Sequence, residues 1–170
     1  LILQADATLG NSASTGIGSL DLNGSALSIS MAMTINDPLT LDAAGEKLIT
    51  GSSDLTFYDT LVISTGTLSS TGGTLNLPGG ATLASGALFS TSNTTLNLGG
   101  SLAVAGTWSG SNTTSISLTT DNASLSSTVA LSLASLQTNG HDFELASATS
   151  DLTIENAFAL SGSETLSTQG

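Results

Sequence analysis

The sequence predicts an all-β chain wound as a right-handed, three-sided parallel β-helix (a β-solenoid) with about 20–21 residues in each coil. Three observations predict this fold. Apolar residues recur at one fixed period, apolar and polar residues alternate inside each repeat, and glycines separate the alternating segments. The right hand follows from the crossover preference of parallel strands.

Apolar residues recur in three columns that share one period. The first column, in nearly even steps along the chain, is Leu55, Leu75, Leu96, Ile116 and Leu136. The second column is Ile63, Leu83, Val104, Leu125 and Leu145. The third column is Leu48, Leu68, Leu88, Trp108 and Val129. Because independent columns keep the same period, each repeat is predicted to form one coil, which gives roughly 8 coils stacked ~4.8 Å apart.

Alternation inside the repeats predicts strands. The segments Leu55–Phe57, Leu75–Leu77 and Leu102–Val104 all place one polar or small residue between two apolar residues. A period of two is the pattern of a strand with one buried face. We therefore expect three short strands in each coil.

Glycines mark the predicted turns between these strands. Gly66, Gly86 and Gly106 follow one another at the period of the apolar columns, and so do the pairs 79–80 and 99–100. Glycine adopts positive φ without steric cost, so these positions are predicted to be turns with φ > 0.

We expect one β-solenoid domain over residues 1–170, with regular coils at about 35–136 and less regular ends. Near the start, four residues look strand-like but lose the period: Leu20, Leu22, Leu27 and Ile29. A β-sandwich would also have short strands, but nothing in that fold maintains evenly spaced apolar columns. The density of Gly, Ser and Thr excludes a helical repeat.

Composition excludes several functions. A hydrophobic content of 39% and a mean hydropathy of +0.30 argue against disorder. Thirteen carboxylates face a single cation, Lys47, and the net charge of −12 argues against nucleic acid and anionic lipid as partners. The chain has no Cys, and no apolar run of ~18 residues, so neither a thiolate metal site nor insertion into a membrane is expected.

Two segments carry a resemblance to a known group of proteins. Residues 95–108 (TLNLGGSLAVAGTW) resemble the passenger repeats of autotransporters and of filamentous-haemagglutinin-like adhesins, and residues 72–77 with 81–83 are similar to them. The resemblance covers about two thirds of the chain. It implies an extracellular or cell-surface protein with a structural or adhesive role, as a stalk, a fibre or a surface-layer component.

The ends of such a solenoid expose unpaired strand edges unless something covers them. No amphipathic capping helix is apparent in residues 1–20 or 150–170, and the first residue is Leu1 rather than Met. Two interpretations stay open: the solenoid continues in a longer polypeptide, or copies stack end to end as filament subunits. The expected partners are neighbouring repeats or copies, with a carbohydrate or a host or neighbouring cell surface as further candidates.

The sequence predicts no enzyme and no catalytic, cofactor-binding or metal-binding residue. His141 is the single histidine and is expected to be an ordinary turn residue. Asp54 with Asp59, and Asp142 with Glu144, are pairs that could in principle cleave a glycoside. We interpret them as solvated turn carboxylates, so a carbohydrate-binding or carbohydrate-cleaving β-helix is the second alternative.

Calcium and glycan attachment are weaker candidates. Oxygen ligands that could hold Ca²⁺ occur in the pairs Asn36–Asp37, Asp121–Asn122 and Asp21 with Asn23. Each pair is typical of a turn, so only weak surface binding of divalent cations is expected. Sequons for N-glycosylation begin at Asn23, Asn93, Asn112 and Asn122.

Outward-facing positions are predicted to stack as well. The residues next to the apolar positions of the first column form a polar ladder: Thr56, Asn76, Asn97, Ser117 and Gln137. Such a ladder can stabilise the sheet through side-chain hydrogen bonds. Alternatively, it offers a flat, uncharged face for a carbohydrate or for ordered water, including ice.

Overall fold

The structure, a computed structural model, describes residues 1–9, 15–121, 123–146, 151–161 and 165–168. Its strands form three parallel sheets. Sheet 1 contains β1 (Ala7–Leu9), β3 (Ala26–Ile29), β6 (Lys47–Gly51), β9 (Thr67–Ser70), β12 (Leu88–Thr91) and β15 (Thr107–Ser109). Sheet 2 contains β2 (Thr15–Ile17), β4 (Met33–Ile35), β7 (Leu55–Phe57), β10 (Thr74–Leu77), β13 (Thr95–Leu98), β16 (Ser115–Leu118), β18 (Leu131–Gln137) and β20 (Leu152–Ala159). Sheet 3 contains β5 (Leu39–Leu41), β8 (Leu61–Ile63), β11 (Ala81–Leu83), β14 (Ser101–Val104), β17 (Ala123–Ser127), β19 (Phe143–Leu145) and β21 (Leu166–Thr168).

The chain visits the three sheets in turn and forms a β-solenoid of about 7 turns, one fewer than the sequence predicted. The all-β, three-sided parallel fold is confirmed. In the described part of the chain the one helical element is a short 3₁₀ turn at Ser111–Thr113. Accordingly, no described helix has the length and apolarity needed to cross a membrane.

Strand register confirms the first apolar column over its whole length. In sheet 2, Leu75 pairs with Leu55 on one side and with Leu96 on the other. The column continues through Ile116 to Leu136. Its side chains point into one continuous apolar core and are buried.

The second column is confirmed as far as Val104 and then changes register. Leu83 pairs with Ile63 and with Val104, but Val104 pairs with Ser127 and not with Leu125. The turn between β16 and β17 is longer than the turn between β13 and β14, which moves β17 along its neighbour. Because the shift is by two positions, Leu125 still faces the core and is 2% exposed.

The third column is wrong at Leu88. Leu68 pairs with Phe89, and Phe89 pairs with Trp108. Phe89 is 2% exposed, whereas Leu88 is 37% exposed. The turn before β12 holds one more residue than the turn before β9, and a shift by one moves each side chain to the opposite face of a strand.

Trp108 and Phe89 fill the core of sheet 1 together. Their ring centroids lie 5.1 Å apart with a tilt of 32°. Val129, the last member of the predicted third column, lies outside the strands and is only partly buried. Among the described strands, sheet 1 ends at β15, whereas sheet 2 continues through β16, β18 and β20.

The glycines at 66, 86 and 106 are not the positive-φ turns that the sequence predicted. Among the predicted turn glycines, Gly80 has positive φ, at 81°. A Cβ on Gly106 would lie 2.4 Å from the carbonyl oxygen of Ala84 and 2.8 Å from that of Ala87. This position needs glycine because the turns of successive coils stack with their backbones in close approach.

The first coils are more regular than predicted. Leu27 pairs with Leu48 in sheet 1, at the same period as the later coils, so the expectation that this segment loses the period is wrong. Leu20 and Leu22 are buried on either side of Asp21, which forms a parallel bridge with Ile2. The period was hidden because the steps in the other two sheets vary here: the step from Ile17 to Ile35 is shorter than the period, and the step from Met33 to Leu55 is longer.

Candidate binding surface

The single histidine bridges two coils at a turn. His141 Nδ1 lies 2.9 Å from Asp121 Oδ1, and both side chains are solvent-accessible. The hydrogen bond with His141, aided by one from the backbone N–H of Asp142, holds the pKa of Asp121 below its usual value. His141 follows a tight turn in which Asn139 and Gly140 have positive φ. It is thus the turn residue that the sequence predicted.

Several aspartates connect one coil to the next. Asp54 Oδ1 accepts a hydrogen bond from the backbone N–H of Thr74 at 2.7 Å. Asp142 Oδ1 accepts one from Thr165 N at 2.6 Å, and Asp6 Oδ1 accepts one from Ala26 N at 2.7 Å. In each case the donor lies on the following coil. These carboxylates satisfy backbone groups at the corners, which gives two of the candidate catalytic carboxylates a structural role.

The remaining candidate carboxylates also serve turns or line a shallow groove. Asp59 Oδ1 accepts hydrogen bonds from the backbone and hydroxyl of Thr60. Asp142 and Glu144 share an open groove of about 300 Å³ with Asp121.

Described members of the calcium candidate pairs bond to other groups of the protein. Asp21 Oδ1 accepts the backbone N–H of Asn23 at 2.8 Å, and Asn23 Nδ2 donates to the carbonyl of Leu3. Asn36 Nδ2 donates to the carbonyl of Ile17. Asn122, the partner of Asp121 in the third pair and the last sequon asparagine, lies outside the described residues. Across the residues that are described, no group of three or more His, Cys, Asp or Glu could hold a metal ion.

Glu46 is a buried carboxylate that the sequence analysis missed. Its side chain is only 3% exposed. Oε2 accepts the backbone N–H groups of Asp42 and Ala43 at 2.7 and 3.1 Å, and Oε1 accepts that of Gly24 at 3.3 Å. Backbone donors replace the water that burial removes, so Glu46 fixes a turn and ties it to the coil before.

A column of buried hydroxyls follows the corner between sheets 1 and 2. Trp108 Nε1 donates to Thr91 Oγ1 at 2.8 Å, and Thr91 Oγ1 lies 2.6 Å from Thr114 Oγ1. Thr94 Oγ1 donates to Ser70 Oγ at 3.2 Å. The fully or nearly buried members are Thr50, Ser70, Thr91, Thr94 and Thr114. The recurrence of Ser or Thr at strand ends, as from 50 to 70 to 91, was a signal that could have revealed them.

The outer side of sheet 2 carries the predicted polar ladder. Asn76 Nδ2 donates to Thr56 Oγ1 at 3.1 Å, and Asn97 Nδ2 donates to Asn76 Oδ1 at 2.8 Å. Register places Ser117 and Gln137 next in the ladder. At Ser117 the bond comes from Asn139 Nδ2, at 2.7 Å, rather than from Gln137.

A second polar column lies on the same face. Its members pair in register two residues before the ladder, and they are Thr74, Thr95, Ser115 and Ser135. Ser135 Oγ donates to Ser115 Oγ at 2.8 Å. The strands β4, β7, β10, β13 and β16 contain no charged residue. We name the outward side of these five strands the polar face, and it is the candidate binding surface.

Comparison with known proteins adds no family to this description. No family model matches the chain, and no curated protein or solved structure matches it.

Proposed function

We propose that the chain is part of an extracellular β-solenoid with a structural or adhesive role, as a stalk, a fibre or a surface-layer component, and that it has no catalytic activity. The observation that carries the proposal is that the polar side chains of one coil form hydrogen bonds with the next coil. Carboxylates such as Asp54 and Asp142 bond to the backbone of the next coil, and the side chains of the polar ladder bond to one another. These polar groups strengthen the stack of coils, which is what a structural role requires.

The resemblance of residues 95–108 to adhesin passenger repeats supports the same role. A sheet of eight strands is roughly 34 Å long at ~4.8 Å per strand, which suits a spacer that holds a surface away from a cell. The net charge of −12 keeps such a surface soluble and prevents non-specific adhesion to anionic lipids.

The test is the location of the protein on its source cells. Antibodies raised against the folded chain are expected to label intact cells or the medium. Labelling that requires permeabilised cells would contradict the extracellular role. Electron microscopy of the isolated material would then distinguish a stalk or fibre from a sheet-like layer.

A filament subunit is the second candidate, and an apolar surface on the last described coil favours it. Phe158 and Leu166 are 44% and 40% exposed there. They line an apolar cavity of about 160 Å³ that the first coil of a second copy would cover. A head-to-tail contact between two unlike ends does not close on itself and produces a filament.

Negative-stain microscopy of the purified chain tests this second candidate. Filaments that lengthen with protein concentration are expected, and Phe158→Asp should shorten them because it places a charge in the contact. Single short rods at all concentrations would contradict assembly through the ends.

A further inference from the structure

One aromatic ring stands out from the polar face. Tyr58 is 68% exposed and is the only tyrosine of the chain. It follows Thr56 by two residues, so alternation directs both side chains outward from sheet 2. The backbone N–H of Tyr58 donates to the carbonyl of Ile35 at 2.8 Å, which extends the strand pairing by one residue. A rigid backbone thus presents an exposed ring.

A proline occupies the equivalent position on the next coil. Asn76 pairs with Thr56, so Pro78 stands above Tyr58, and it is also exposed. Other coils make a backbone hydrogen bond at this position, as from Gly99 N to the carbonyl of Leu77 at 3.1 Å. Proline has no N–H, so this coil gives up that bond and presents a second ring.

The turn that follows fixes the spacing of the two rings. A Cβ on Gly79 would lie 2.6 Å from the carbonyl carbon of Asp59, so these two turns stack with their backbones in close contact. Neighbouring strands are ~4.8 Å apart, which places the ring of Pro78 next to that of Tyr58. Together they form a small apolar platform at the edge of the polar face.

Hydrogen-bonding groups lie directly beside this platform. Asn76 and Asn97 each use one amide N–H in the ladder. A primary amide has two N–H donors and a carbonyl with two lone pairs. Each asparagine therefore has further donor and acceptor capacity directed to solvent, and Thr74 and Thr95 lie on the same face.

We propose that Tyr58, Pro78 and the amides of Asn76 and Asn97 form a binding site for a neutral polysaccharide. Sugar rings combine an apolar face of C–H groups with a rim of hydroxyls. The platform would contact the apolar face, and the amides would bond to the hydroxyls. The inference rests on the adhesive form of the proposed function and specifies the class of ligand.

Charge selects a neutral glycan over an acidic one. The five strands of the polar face contain no charged residue, and the exposed carboxylate of Asp59 adjoins Tyr58. A uronic acid or sulfate group would meet repulsion there, within a chain of net charge −12, with no cation in those strands to offset it. Two rings are also too small a platform for a protein partner, since stable protein interfaces bury roughly 800 Å² on each side.

The proposal is tested by native electrophoresis in gels that contain mixed-linkage β-glucan, galactomannan or dextran. A gel that contains alginate serves for comparison. At least one neutral polysaccharide is expected to retard the protein, and alginate is not. Tyr58→Ala should weaken the retardation about tenfold because it removes the stacked ring, and Tyr58→Phe should retain it. Leu88→Ala is the matched control, since Leu88 is an exposed apolar side chain on sheet 1, and it should bind as the parent protein does.

Nitration by tetranitromethane provides a second measurement on the unaltered chain. Tyr58 is the only tyrosine, so the extent of nitration reports the site directly. The retarding polysaccharide is expected to slow nitration, and alginate is not. Three results would overturn the site. They are retardation by alginate alone, retardation of Tyr58→Ala equal to that of the parent protein, and nitration that no neutral polysaccharide slows. None of these results changes the cell-surface labelling or the electron micrographs, so the structural role is tested separately.

Discussion

The coils up to β15 and the coils after it differ in the number of strands that they contain. A regular coil before that point has three short strands, one in each sheet, whereas the described part of each later coil has two, in sheets 2 and 3. The later strands of sheet 2 are long: β18 has 7 residues and β20 has 8, against 4 in β10. The first half of β18 still buries Leu131 and Leu133. One long strand can therefore continue the core where two short strands did so before.

The corner after sheet 3 accounts for the difference. Val104 pairs with Ser127, so Val129 occupies the position equivalent to Gly106, where a Cβ would meet the neighbouring backbone. Ser127 Oγ donates to the carbonyl of Val129 at 2.6 Å and accepts the backbone N–H of Val129 at 3.2 Å. These local bonds form a turn in place of the next strand of sheet 1. At this corner a turn thus stands where the preceding coils have a strand of sheet 1.

The largest expected effect is the loss of stability when a charge is placed in the core of the middle coils. The same change in the last coil should cost much less. Leu96→Asp places a carboxylate in the sealed core, where no partner or water can compensate it, and should lower the free energy of unfolding by about 3–5 kcal/mol. Leu166→Asp, at a half-exposed position, should lower it by less than about 1 kcal/mol. Urea denaturation followed by circular dichroism measures both. Equal losses would show that the last coil is closed as tightly as the middle ones.

A substitution at the corner glycine is the second test. Gly106→Ala adds a Cβ 2.4 Å from the carbonyl oxygen of Ala84, and the strain should lower the free energy of unfolding by about 2–3 kcal/mol. Gly16→Ala is the control, because its Cβ would meet only the side chain of Asn36, at 3.8 Å. Thermal denaturation of both variants decides the point. If they melt alike, close stacking is not the reason for glycine at this corner.

The buried hydroxyls give the third test, which is confined to the three-stranded coils. Thr91→Val leaves Trp108 Nε1 and the hydroxyl of Thr114 without this partner, at a cost of about 1–2 kcal/mol. Thr82→Val makes the same change on the exposed side of sheet 3 and should be neutral within about 0.5 kcal/mol. Urea denaturation gives both values, and the fluorescence of Trp108 should change only in Thr91→Val. An unchanged spectrum with unchanged stability would rule out the network.

The first column and the polar ladder could be predicted from the sequence because alternation is a local property. A residue such as Asn97 lies between two apolar neighbours, and that pattern fixes its outward direction in any strand. The pairing of Asn97 with Asn76 then follows from the period alone. The hydrogen bond between their amides was a reasonable expectation for the same reason.

The errors came from turns whose length departs from the period. One extra residue before β12 moved Leu88 outward and Phe89 inward, and a search at constant spacing conceals such a change. The longer turn before β17 moved Leu125 into register with Leu102, although both still face the core. A shift by one position changes which face is buried, whereas a shift by two changes only the partner.

Polar groups in the core were missed for a different reason. Thr91 and Glu46 are buried, so a search for apolar positions passes over them, although hydrogen-bonding partners make their burial possible. The apolar platform at Tyr58 depends on Pro78, one coil away, and is visible only once register is known.

Acid should produce the smallest effect on stability. It acts on the hydrogen bond between Asp121 and His141, in the later coils. Asp121 has a folded pKa below its usual 3.8, so its contribution to stability is complete above that value and is lost as the pH falls through the lower folded pKa. The melting temperature of Asp121→Asn should therefore lie slightly below that of the parent at neutral pH, and the gap should close in acid. Asp37→Asn removes a carboxylate from another exposed turn and controls for net charge. A gap that persists unchanged at the lowest pH would exclude the ionised carboxylate of Asp121 as its source.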